Sequence, residues 1–236
     1  FPNNDIKCDV NKIRAQVFAA ETQQALTWSI AKDKPGNKVL AEKLNLEQEK
    51  EAWLTRHDRD CADLYGTLPL ADGLPVMLTE HYDRNPEKAL LKGRIGYMKS
   101  WILDDREDSE YQNNVRYLRY PPKTVLVQFT EWVLDEDADR KVERPCSWVL
   151  DGMSEAGVYP IRPWNRDWFL DQRRPRPQLG VKRRQLPLAP AYAITAHGSQ
   201  GQTLRAAFLD LQIGRGVSAI ASYVAMTRNK TRYLYT

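Results

Sequence analysis

Long apolar runs are missing from this sequence: none approaches the roughly eighteen consecutive apolar residues that a membrane-spanning helix needs. The first residues also lack the pattern of a signal peptide. Cysteine is scarce. Cys8, Cys61 and Cys146 are odd in number, far apart and without a Cys-x-x-Cys pair, which argues against a disulfide framework and fits a reduced, intracellular protein. Histidine is equally thin. His57, His81 and His197 are scattered, and His57-Asp-Arg-Asp-Cys61 has no recognised ligand spacing, so no structural metal is expected. No Gly-x-x-x-x-Gly-Lys-Ser/Thr phosphate loop occurs in these residues, and Gly36-Asn-Lys38 is not one. The run Trp132-Val-Leu-Asp-Glu-Asp137 looks like a strand ending in metal-binding acids. Without a phosphate cradle, Asp135 and Glu136 read instead as a hairpin tip. No internal repeat is visible.

What is present is the composition of a folded protein. The 236 residues are 42% hydrophobic, with seven Trp and eleven Tyr, enough to bury a sizeable core. A net charge of +4 permits nucleic-acid binding without demanding it. Apolar residues at Ile6, Val10, Ile13 and Val17 predict a helix over 5–21, capped by Asn4 or Asp5. A strand at Leu26–Ile30 follows, then an exposed Leu/Glu/Lys-rich helix over 38–57. From Gly66 the pattern turns to short strands, predicted at 74–78, 95–103, 115–120, 125–133 and 147–150, a small barrel by their spacing. The acidic stretches 104–110 and 135–139 read as solvated hairpin tips. Residues 186–236 return to alternating helix and strand, including an apolar strand at 206–211 and a Gly214-Arg-Gly216 turn. We therefore expect an α/β domain with another inserted in it: 1–65, an inserted 66–160, a basic connector 161–185, and 186–236. The chain begins with Phe1 rather than Met and stops after the strand-like 232–236, so both ends read as cut from something longer.

The chemistry concentrates near the C-terminus. Residues 191–203 run Ala-Tyr-Ala-Ile-Thr-Ala-His-Gly-Ser-Gln-Gly-Gln-Thr. The alanines favour a helix over 191–200, with Pro187 and Pro190 tolerated only at its start and Gly201 as its stop. On that helix Ala193, His197 and Gln200 share one face. For a lone histidine a hydrogen-bonded core role would be the plainer account of His197, but thirteen residues ending in Ser-Gln-Gly-Gln-Thr are far more specific than that. Residues 218–228 read as a second helix, packing Ile220, Tyr223 and Val224 inward and ending at Arg228. Arg228 there could simply complement the helix dipole. The basic stretch 162–184 interleaves eight cations with Trp164, Trp168 and Phe169. It reads equally as a stacking surface for single strands or as a connector with solvated arginines.

Together, residues 191–203 and Ser222-Tyr-Val-Ala-Met-Thr-Arg228 resemble the last two signature motifs of superfamily I DNA helicases, in the RecD-like, Pif-type branch that includes Helitron helicases. Asn4 and Asn11, seven apart behind Phe1-Pro, resemble the motif opening the second motor domain, with Asn3 in place of Thr. Gly73-Leu-Pro-Val-Met-Leu-Thr79 and Leu90-Leu-Lys-Gly-Arg-Ile-Gly96 resemble the hairpin entering the family's inserted barrel, and Arg184-Gln-Leu-Pro-Leu188 its lead-in to the later motif.

The resemblance implies an α/β fold: a second RecA-like helicase motor domain of P-loop NTPase type, interrupted by a small β-barrel. It implies 5′-to-3′ movement on single-stranded DNA, in repair or recombination. ATP and Mg²⁺ would be shared with an N-terminal RecA-like domain that supplies the phosphate loop and metal ligands. By the same resemblance Asn4, Thr195, His197, Ser199 and Thr203 face DNA, while Gln200, Gly201 and Gln202 face the nucleotide. Arg228 is the arginine finger, with Arg232 as a second candidate. These residues alone are expected to have no ATPase activity, and the parent is expected in the nucleus or mitochondrion. Gly198 stands where the family commonly has Lys, and Met-Thr where Leu-Ser is usual. The Gly198 departure, with the cut ends, leaves open a non-catalytic single-stranded DNA-binding remnant of a transposon-type helicase. An interaction platform is a third reading.

Overall fold

The computed structural model describes residues 4–42, 46–135, 140–195, 223 and 227. By its contacts the chain divides into two units, Phe1–Arg14 with Ala191–Thr236, and Ala15–Pro190. Helix α1 (Asn4–Glu21) is already under way at Asn4, so that residue falls inside the helix instead of ahead of it. Asn11, Ala15 and Ala19 form one buried stripe at i, i+4 spacing. The helix closes in a Schellman turn: Gln24 N–H reaches Ala19 O (2.9 Å) and Gln23 N–H reaches Ala20 O (3.2 Å). Gln23 takes the left-handed position (φ 55°) usually given to glycine.

Three sheets follow. In the first, β1 (Leu26–Ile30) lies between β3 (Thr67–Leu70), antiparallel, and β6 (Val115–Leu118), parallel. The parallel pair gives this part its α/β character. The second sheet runs β10 (Trp164–Phe169), β11 (Gly180–Gln185), β2 (Lys32–Pro35), all antiparallel. The third runs β12 (Leu188–Pro190), β4 (Pro75–Leu78), β5 (Ile95–Ile102), β7 (Thr124–Asp135), β8 (Arg140–Pro145). Strand β9 (Val158–Ile161) pairs with β7 off that path. The twelve-residue β7 thus serves two partners, β9 along Val125–Gln128 and β8 along Thr130–Asp135.

The β7–β8 register pairs Asp135 with Arg140, and the expected acidic tip between them, 136–139, lies outside the described residues. Other expectations need correction. The helix over 38–57 is two pieces, α2 (Lys38–Ala41) and α3 (Leu46–Leu54), and it is not merely exposed: Leu40 and Trp53 are buried. No strand forms at 147–150. There Gly157 N–H bonds Trp148 O (2.8 Å) and Met153 N–H bonds Leu150 O (2.9 Å), a turn whose outgoing strand is β9. Gly157 (φ 73°) passes so close to β7 that a Cβ would lie 2.6 Å from Phe129 O. The basic segment 161–185, read as a connector, contains the β10–β11 hairpin.

The second sheet is pinned by one side chain. Strand β11 buries Val181, Arg183 and Gln185 and exposes Lys182 and Arg184, the alternation of a pleated strand. Arg183 is fully buried beside Asp33, whose side chain is 2% exposed. The guanidinium forks onto the carboxylate, Nε to Oδ1 at 2.8 Å and Nη2 to Oδ2 at 2.6 Å. It also donates to Leu64 O (3.1 Å) and Trp53 O (2.7 Å) and lies over the Trp168 ring. Around it Leu40, Trp53, Cys61, Trp168 and Val181 form a core. Gln185 links this sheet to the first, accepting from Ser29 Oγ (3.0 Å) and donating to Ser29 O (3.0 Å).

Two outcomes follow from this core. Asp33→Ala leaves a buried cation unpaired and is expected to cost about 3–5 kcal/mol, read by urea unfolding. Asp33→Ala with Arg183→Met is expected to cost less than the sum of the single changes, the mark of direct coupling. Burial pushes the Cys61 thiol from its ordinary 9.0 to about 11, with Arg183 opposing. The folded chain holds the proton more tightly, so this contribution is complete below pH 9 and fades as pH rises towards 11. Urea midpoints taken across that window are expected to fall less steeply for Cys61→Ala than for the parent chain.

Candidate nucleic-acid and nucleotide site

Strand β12 ends at Pro190, and the chain turns at Ala191 and Tyr192 instead of entering the expected helix; 193–195 are non-helical too. The prolines explain this. Pro187 and Pro190 bias their predecessors Leu186 and Ala189 to extended backbone, and β12 pairs antiparallel with β4. The face-sharing of Ala193, His197 and Gln200 therefore does not start where the sequence placed it.

What holds the motif is a side chain. The Asn11 amide donates through Nδ2 to Ala193 O (3.2 Å) and accepts through Oδ1 from Ala193 N–H (2.7 Å). Asn11 is 1% exposed and Ala193 2%. One amide thus gives both backbone groups of Ala193 the partners a neighbouring strand would provide. The pairing is local to one unit of the chain, and Arg14, one turn along α1, lies with its guanidinium 5.3 Å from the Tyr192 ring centroid. Thr195, two residues beyond the clamp, is half-buried. Near the end of the chain Thr227 N–H bonds Tyr223 O (3.1 Å), one helical turn as expected, but Tyr223 is 64% exposed and does not pack inward.

Of the residues assigned by resemblance, Thr195 is described in full and Asn4 by its backbone alone. His197, Ser199, Gln200, Gly201, Gln202, Thr203 and Arg228 lie outside the described residues, as do Ile220, Val224, Arg232, the 206–211 strand and the Gly214-Arg-Gly216 turn.

No family model matches this sequence, and neither does any curated protein. Among solved structures the chain is similar to the Pif1 helicase of Candida albicans, at 19% identity and a TM-score of 0.53, over 95% of this chain and 41% of that one. It shares the fold of that Pif1 helicase. It is also similar to Bacteroides Pif1 in complex with ADP-AlF3 and ssDNA, at 17% identity, over 95% of this chain and 37% of that one, with a TM-score of 0.41. The chain spans less than half the length of either protein.

Within this Pif1-like fold, two residues carry more than their sequence context announced. Asn11 entered only as half of a spaced pair, yet it makes two hydrogen bonds to the 191–203 motif. The available signal was its position: asparagine is a poor residue mid-helix, and in the middle of α1 it calls for a tertiary partner. Arg183 sits in a run of cations, and only the in-out alternation of 180–185 could have marked it as core.

Asn11→Ala removes both partners of Ala193 and is expected to cost about 1–3 kcal/mol. Hydrogen exchange is expected to quicken at 191–195 while the β10–β11 hairpin keeps its protection. Equal quickening in both places would show that Asn11 does not act on the motif.

Proposed function

We propose that this chain is the second motor portion of a Pif-type DNA helicase, gripping single-stranded DNA and completing an ATP site. The observation that carries the reading is the Asn11 clamp on Ala193, because it joins the first and later motifs of the resemblance in one unit. Paired Asn residues and an Ala-rich stretch far along the chain have no reason to meet unless the fold makes them one site. The Pif1-like fold supports the same assignment at the level of architecture. In this reading the antiparallel strands β4, β5, β7, β8 and β9 are the small barrel inserted in a RecA-like domain.

The roles then follow from chemistry. Thr195, His197, Ser199, Thr203 and Asn4 offer hydroxyl, imidazole and amide groups to the DNA backbone, contacts that hold a strand without reading its bases. Gln200, Gly201 and Gln202 approach the γ-phosphate, where a side-chain amide and a backbone without Cβ come close. Arg228, planar and always charged, neutralises charge developing on the transferred phosphoryl oxygens. The sequence holds no phosphate loop, so ATP, Mg²⁺ and the metal-binding acids belong with a first RecA-like domain. Closure of the two domains on ATP and release after hydrolysis would move the motor 5′ to 3′.

The chain by itself is expected to bind single-stranded DNA and to hydrolyse no ATP. Thr195→Ala with His197→Ala is expected to weaken oligonucleotide binding about tenfold, measured by anisotropy. A purified chain that hydrolysed ATP, and lost that activity with Arg228→Ala, would overturn the division of labour. The non-catalytic alternative rests on Gly198: a complete motor that hydrolyses no ATP as it stands, and gains hydrolysis when Lys is restored there, would favour it.

A further inference from the structure

The β2–β10–β11 sheet has a second face, opposite the buried Arg183. Strand alternation turns Lys182 and Arg184 outward. The register sets Lys34 beside Lys182 and Lys32 beside Arg184, and directly opposed residues point the same way. Four cations therefore stand in two rows, spaced along each strand by about 6.7 Å, two residue rises. Among the described residues of these three strands one acid shares the face: Asp167, with Oδ1 3.8 Å from Lys182 Nζ. Lys34 and Arg184 have no carboxylate within ion-pair distance among the described residues. Like charges directly opposed weaken strand pairing, so the fold tolerates this arrangement against its own stability.

The same face carries an open ring. Phe169, 37% exposed, sits opposite Gly180, and its edge is 3.5 Å from where a Gly180 Cβ would be, so the ring leans over bare backbone. Beyond it is the loop 170–179. Asp171 pins this loop by accepting the backbone N–H groups of Gln178 (3.1 Å) and Leu179 (2.9 Å), which leaves Arg173 and Arg176 facing solvent. Cations at regular spacing beside one accessible aromatic suit a repeating anion with unstacked bases. A duplex would offer the phosphates but no free base face for the ring.

We propose that this sheet face is a single-strand-binding surface in its own right, with Lys32, Lys34, Lys182 and Arg184 against successive phosphates and Phe169 under a base. The proposal rests on the single-strand reading above and adds a contact made by residues outside the 191–203 motif.

The test uses the whole chain and fluorescein-labelled oligothymidylate, with affinity measured across a salt series. Lys182→Gln with Arg184→Gln removes two phosphate contacts, at about 0.7 each for single strands, so the slope of log affinity against log salt is expected to fall by about 1.4. Phe169→Ala is expected to weaken binding roughly fivefold to a hundredfold with the slope unchanged. The double variant relieves like-charge opposition and is expected to melt at or above the parent temperature, while Phe169→Ala is measured well below its own melting temperature, which separates lost binding from lost folding. Wild-type binding with an unaltered slope in the double variant would overturn the sheet-face assignment alone. No binding by the parent chain would overturn both readings. Binding that depends on the sheet but ignores Thr195→Ala and His197→Ala would keep the surface and remove the motor assignment.

Discussion

A guanidinium sealed from water must find a partner for each of its charges and N–H groups, and here that requirement organises the second sheet. Arg183 reaches Asp33 on β2, Trp53 at the end of α3 and Leu64 in the following loop. Three segments separated in sequence are thus brought to one point. Such an ion pair is weak evidence for stability, because desolvation opposes the attraction, but it leaves few alternative packings. A shift of β11 by one residue would bury Lys182 or Arg184 without acceptors and expose Arg183. The register is fixed by the impossibility of its neighbours.

The two clamps differ in kind. Arg183 imposes charge complementarity within Ala15–Pro190, whereas Asn11 imitates a peptide group within the other unit. A neutral amide satisfies one N–H and one C=O with no charge to neutralise. That suits a segment which, in the proposed function, must itself meet both a polyanion and a phosphate. A fixed charge at Asn11 would compete with both.

Legibility in the sequence tracked how the inward positions were filled. Helix α1 is legible as a helix but not by its face: of Ile6, Val10, Ile13 and Val17, Ile6 and Ile13 are exposed, and the buried stripe is Asn11, Ala15 and Ala19. Strands β1, β4, β5, β6 and β7 lie within a few residues of the ends their apolar runs suggest. Strand β11 was hidden because two of its three inward residues are Arg183 and Gln185, so hydropathy shows no period there. Trp168 and Arg183 proved to be core while Phe169 and Arg184 proved to be surface, a division that composition cannot make among adjacent residues of one type. Residues 191–195 are not helical despite their alanines, because two prolines hold the approach to them extended. The motif residues were legible as a pattern, but which side chain secures them was not, since Asn11 and Ala193 are separated by nearly the whole chain.

Strand β7 spends its first half between β5 and β9 and its second half against β8. Only the first half is built into the body of its sheet: Val125, Val127 and Phe129 are buried, while Trp132, Val133 and Leu134 are exposed. The hairpin arm is therefore a part whose length is decoupled from the fold. Residues added or removed in matched pairs between the two strands would lengthen or shorten the arm by about 3.4 Å per pair, with no change to the pairing at its base. The reach of that arm can thus change without disturbing the sheet that carries it.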